Sequence, residues 1–120
     1  MNSHRKLDAW KVSRQRANAI YRATRTFPAD ERFGLTSQLR RAAVSAAANL
    51  AEGHARWGLK EGAHGASITR GSLAEIDTLI AIAEDQGYLK GKALAELEEL
   101  RERASQVTWG LHRNLRGDRI

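Results

Sequence analysis

The chain has no cysteine, and one proline in 120 residues. Without cysteine there is no disulfide framework, no thiolate metal site and no thiol nucleophile, and a reducing interior is permitted. Aromatic residues make up only 6% of the chain. Few aromatics and a single proline, beside many alanines, leucines, arginines and glutamates, disfavour sheet and favour helix. Long apolar runs are also missing. No stretch approaches the roughly 18 apolar residues that a membrane span needs. The start, "MNSHRKLDAW", has no apolar core of the kind a secretory signal requires. The expectation is a soluble, cytoplasmic protein with no membrane partner.

What is present is ordinary in amount, with 42% hydrophobic and 28% charged residues, and 120 residues suit one domain. The charge is unevenly placed. Residues 1–60 hold 12 lysines and arginines against 4 acidic residues, a net +8, whereas residues 61–120 hold 8 against 10, a net −2. A basic half followed by a mildly acidic half points either to a polyanion-binding surface or to packing between halves of opposite charge.

Apolar spacing of three and four residues recurs in four segments, predicting helices over about 7–27, 35–52, 62–86 and 91–115. In the first, Leu7, Trp10, Ala17, Ile20, Tyr21, Thr24 and Phe27 fall near one face, and Pro28 ends it. Thr36 or Ser37 can cap the second, whose core face is Leu35, Leu39, Ala42, Ala43, Ala46 and Leu50. Val44, Ala47 and Ala51 form a second apolar side, so this helix needs partners in two directions, and Gly53 suits its C-terminus. "GHARWGLKEGAHG" is the least helical stretch. Four helices with short connections predict an all-α, antiparallel up-and-down four-helix bundle spanning residues 1–120 as a single domain.

Two stretches in that order, "FGLTSQLRRAAVSAAANLAEGHAR" and "GSLAEIDTLIAIAEDQGYL", with the "W" and "FP" of the first helix, carry a resemblance. Over about Leu7 to Leu111 the chain closely resembles the four-helix-bundle proteins encoded within intervening sequences of bacterial 23S rRNA genes. The resemblance implies a homopentamer. It also extends to the accessory variability determinants of diversity-generating retroelements, basic pentamers that bind nucleic acid and a reverse transcriptase. Two departures stand out. The family usually has "SIPSN" where this chain has "SAAAN", so Ala47 replaces a proline and the second helix is expected to run straighter. "GAHGAS" is richer in glycine and alanine than the family, which leaves the start of the third helix open.

Candidate sites follow from charge and placement. Lys11, Arg14, Arg22 and Arg25 form a basic stripe on the first helix. Such a stripe either neutralises phosphates of RNA or DNA or is a solvated face that aids solubility. A pentamer would multiply the chain's +6 to roughly +30 and repeat the stripe, which strengthens polyanion attraction. With few aromatics beside it, base stacking is not expected to dominate.

Arg40, Arg41, Asn49, Glu52 and Glu75 are polar residues in or beside apolar stripes. They are expected to pair structurally, with Glu75 meeting Arg40 or Arg41 inside or between subunits, because a buried carboxylate requires a partner. The competing carboxylate-bundle metal site would need Glu-x-x-His pairs on two helices, and Glu61 with His64 is the only such pair. His4, His54, His64 and His112 show no convergent ligand pattern. No nucleophile elbow or phosphate-binding loop is present. No enzyme activity, metal or cofactor is expected. Val44, Ala47, Ala51 and Trp57 are expected to touch a neighbouring copy. Trp10 is expected in the core, and Trp109 at the bundle edge or against a neighbouring copy.

Overall fold

A computed structural model describes residues 7–56 and 59–115, without the side chains of 54–56, 59–63, 66, 108, 109 and 111–115. Four helices account for nearly all of it: α1 (Asp8–Thr24), α2 (Leu35–Arg56), α3 (Leu59–Asp85) and α4 (Gly91–Leu115). No strand occurs among the described residues. The chain is all-α, as its composition predicts.

Side-chain pairings fix the direction of each helix. Arg40 near the start of α2 reaches Thr24 at the end of α1. Thr69 meets Ala46 between α3 and α2, and Arg22 meets Glu96 between α1 and α4. Sequence neighbours therefore run antiparallel, and α4 returns beside α1. Each helix packs on two others, while α1 and α3 face each other across the diagonal without backbone contact among the described residues. This is the up-and-down arrangement of a four-helix bundle.

The core follows the spacing read from the sequence. Ile20, Leu39, Ile76, Ile80 and Leu97 are almost fully buried, and Ala42, Ala43, Ala46, Ala83 and Ala104 fill the close approaches between them. Small side chains let α2 and α3 make the most extensive contact in the bundle. Trp10 sits at its edge, half-buried against a small cluster of Ala9 and Leu50, and not in the main core.

Helix ends differ from expectation at three places. α1 stops at Thr24, earlier than 27, because the chain tightens before Pro28 into three-residue turns, with Arg25 N–H reaching Arg22 O and Phe27 N–H reaching Thr24 O. The N-terminus of α2 is capped by neither Thr36 nor Ser37. The Glu31 carboxylate accepts the Leu35 N–H at 3.1 Å, while the Ser37 hydroxyl donates back to Gly34 O. Nor does Gly53 end α2. It is buried inside a helix that continues to Arg56 and runs without interruption through Ala47.

The reason lies across the interface on Gly65. A Cβ there would stand 2.7 Å from Asn49 O and 3.4 Å from the Gly53 Cα, so the glycines permit backbone contact between helices. Thr69 strengthens the same contact, its hydroxyl shared between Gly65 O at 2.9 Å and Ala46 O at 3.0 Å. The stretch that looks least helical is thus helical from Leu59 onward, held by packing and not by propensity.

At the opposite end Gly87, at φ +80°, closes α3. Tyr88 N–H reaches back to Ala83 O and Gly87 N–H to Glu84 O, each at 2.9 Å. The Tyr88 ring packs 5.4 Å from that of Phe27, and its hydroxyl donates to Glu31 at 3.1 Å. One turn is thereby tied to the other.

Candidate functional site

The basic stripe lies where helical phase puts it. Ala9, Val12, Ala19 and Ile20 face inward, so Lys11, Arg14, Arg22 and Arg25 point away from the core, and all four are exposed. Arg22 donates to Glu96 on α4 at 3.1 Å, with both side chains about half exposed, so the pair contributes little. The Arg14 guanidinium lies 5.5 Å from the centre of the Trp10 ring. Lys11 stands at the groove between α1 and α4, near Asp8, Gln15 and Arg103. The four residues form a ridge and not a pocket.

Arg40, Asn49 and Glu75 do not converge within one chain. Arg40 donates from Nε to Thr24 Oγ1 at 2.8 Å and from Nη2 to Tyr21 O at 3.4 Å, stacking 4.7 Å from the Tyr21 ring centre. It therefore serves the α1–α2 contact. Asn49 donates within its own helix to Ser45 O at 2.8 Å and Ser45 Oγ at 2.9 Å. Glu52 and Arg41 are exposed, and Glu75 is exposed on the outer side of α3. The expected internal pairing of Glu75 with Arg40 or Arg41 is absent within one chain, because Arg40 turns towards α1 and Glu75 turns outward.

Val44 is also outward-facing at 47% exposure, with Ala47 and Ala51 half-buried beside it. Trp57 lies outside the described residues, as do the side chains of His54, Trp109 and His112. Among the described residues no three histidine, aspartate or glutamate side chains gather to hold a metal. No described helix is long and apolar enough to cross a membrane.

A different charged residue holds the interior together. Arg16 is 1% exposed, one turn from Val12 and Ile20 on the core face of α1. Its Nη2 donates to Asp77 Oδ1 at 2.9 Å, across the diagonal to α3. Its Nε and Nη1, with the buried Ser13 hydroxyl, find no partner among the described groups. Burial lowers the Arg16 pKa from its ordinary value, and the hydrogen bond and charge of Asp77 oppose that shift. A guanidinium stays protonated regardless, so Asp77 is its necessary counter-ion. Asp77 keeps a third of its side chain accessible and lines an open cleft of about 450 Å³ between α3 and α4. In the sequence Arg16 is hidden among the other arginines of α1. Its phase with Val12 and Ile20 is the signal that marks it.

A second open cleft, of about 420 Å³, lies between α1 and α2, with Tyr21, Arg32, Thr36, Arg40, Arg41 and Val44 in its wall. Beside it Phe33 is 83% exposed, with the Arg32 guanidinium 5.0 Å from its ring centre. Tyr21 belongs both to this cleft and to the edge of the α1 ridge, so the two basic regions adjoin.

Four helices and no strand among the described residues are consistent with the four-helix bundle that the resemblance implies. The family model of the 23S rRNA-intervening sequence protein matches residues 5–110. Comparison with curated proteins gives no match. Because that match covers all of α1, α2 and α3 and most of α4, the chain belongs to the 23S rRNA-intervening sequence protein family.

Proposed function

We propose that this protein is a non-enzymatic homo-oligomer, a pentamer as its resemblance implies, which holds RNA or DNA by the sugar–phosphate backbone. The observation that carries this reading is the outward row of Lys11, Arg14, Arg22 and Arg25, adjoining the arginines of the α1–α2 cleft. Helix charge supports it: by sequence α1 carries a net +3 and α3 a net −3. These helices stand diagonally opposed, bridged among the described residues by Arg16 and Asp77. The ridge is therefore left largely to solvent, Arg22 alone of its four residues pairing with a carboxylate, Glu96 of α4, among the described residues. A ring of copies would multiply the field and favour a long polyanion over a small ligand.

In this role the protein acts as an adaptor, keeping nucleic acid near a protein partner such as a reverse transcriptase. Titrating a labelled RNA and a labelled DNA of generic sequence at rising salt tests the reading. Binding should weaken linearly in log–log form, by roughly 10³-fold or more between 50 and 200 mM salt if 6–10 phosphates are contacted. An absence of binding at the lowest salt would overturn it. Reversing the charge of Arg14 and Arg22 should abolish binding and leave the mass of the assembly unchanged. Loss of assembly instead would favour a protein-interaction module with no nucleic-acid role.

A further inference from the structure

Resting on that reading, we infer that the α1–α2 cleft takes one unpaired nucleotide of a single strand, its phosphate between Arg32 and Arg41 and its base on Phe33. Three arginines, Arg32, Arg40 and Arg41, line the cleft together with Thr36, and among the described residues no carboxylate lines it. The nearest acid in sequence, Glu31, is already engaged, accepting the Leu35 N–H and the Tyr88 hydroxyl. That cap takes the first N–H of α2, and the anion-binding capacity of the cleft rests on its arginines. Arg40 is held in place by Thr24 and by the Tyr21 ring, which gives the cleft a fixed cation. Arg32 and Arg41 are exposed and free to close on a phosphate bidentately.

The exposed ring of Phe33 sets this cleft apart from the ridge, where Trp10 is half-buried. Phe33 is a large apolar side chain left 83% in water, a placement the core does not require. The Arg32 guanidinium lies 5.0 Å from the ring centre, and most of the ring stays open to solvent. A ring backed by a guanidinium and set beside a phosphate clamp is the arrangement that stacks an unpaired base, because any base presents a π-face. A duplex keeps its bases stacked inward and has none to offer. Aromatics are few in the sequence, but the fold sets Tyr21 among the three cleft arginines and Phe33 against Arg32.

The test measures fluorescence anisotropy of a labelled single-stranded 20-mer and of its duplex against the full chain, with Phe33→Ala, Arg41→Ala and Arg14→Ala variants. Phe33 and Arg41 are exposed, so both variants should fold, as a helical circular-dichroism melt would verify. The single strand should bind more tightly than the duplex. Phe33→Ala should weaken the single strand by ~5- to 100-fold and the duplex by less than about 2-fold. Arg41→Ala should lower the salt slope by about 0.7 for the single strand. Arg14→Ala should weaken both forms alike.

Equal binding of the two forms, untouched by Phe33→Ala, would overturn the stacking site and leave backbone binding standing. Binding of neither form at low salt would overturn both readings. A change in assembly mass with Phe33→Ala or Arg41→Ala would also overturn the site, making the cleft a surface between copies.

Discussion

Arg14 and Arg16 stand two residues apart on one helix, and their surroundings are opposite. Arg14 is exposed on the ridge, whereas Arg16 is sealed in the core against Asp77. Their sequence context is the same, but their helical phase differs, and phase alone sends one to water and the other inward. The Arg16–Asp77 pair makes a sharp prediction. Asp77→Ala leaves a buried cation without its counter-ion and should destabilise the protein by about 3 kcal/mol in denaturant unfolding. That is the low end for such losses, because Asp77 is partly hydrated. Arg16→Met with Asp77→Ala should recover most of the loss, since an apolar side chain of similar length fills the space without stranding a charge. The pair would then show a coupling well beyond additivity. Equal destabilisation by the single and double variants would show that the pair is not the source. Arg16 is legible in the sequence by its spacing from Val12 and Ile20. Asp77 as its partner is not, because the two are 61 residues apart on helices joined only through the bundle.

At the level of helices, glycine carries meaning that composition conceals. Four glycines in "GHARWGLKEGAHG" read as a break, yet Gly65 lies inside α3 where its missing side chain admits the backbone of α2. Gly65→Ala should destabilise the bundle by about 1–3 kcal/mol despite raising helix propensity, because the added carbon meets a backbone carbonyl that cannot yield. Gly71→Ala is the control, since nothing lies within 4 Å of a Cβ there, and it should stabilise slightly. Thermal melting of the two variants would separate close packing from propensity. The turns provide a second case. Glu31 both caps α2 and accepts the Tyr88 hydroxyl, and partial burial followed by this bond raises the Tyr88 pKa above its usual value. With the folded value raised, the contribution is present below tyrosine's ordinary range and fades as pH rises through the folded value. Tyr88→Phe should remove this alkaline loss, as unfolding at pH 9 and pH 11 would report.

Taken whole, the molecule keeps its charges apart. The up-and-down order places the basic α1 diagonally from the acidic α3, so neither can neutralise the other along its length. Of the alternatives raised by charge asymmetry, packing between oppositely charged halves is thus confined among the described residues to isolated pairs such as Arg22–Glu96. The outer faces also retain apolar residues, Val44 on α2 and Ile68 and Ile82 on α3, each 40–47% exposed. Glu75 stands on that same outer side of α3. If copies associate through these faces, Val44→Glu should lower the assembly mass seen by light scattering without unfolding the chain. An unchanged mass would move the contact elsewhere.

The sequence by itself determined the helical class, the number of helices, the core stripes and the family, because each rests on local periodicity or on contiguous motifs. Those signals survive without any knowledge of neighbours. Only the tertiary structure decided that Gly53 and Gly65 mark a helix contact, that Glu31 and not Thr36 or Ser37 caps α2, and that Arg16 pairs with Asp77. Each of these joins residues from different elements, and which elements meet is set by how the whole core packs. The alanine-rich α2 is the clearest instance. Its small residues announce a close approach in sequence, but the partner, the distance and the outward turn of Glu75 from Arg40 and Arg41 belong to the fold.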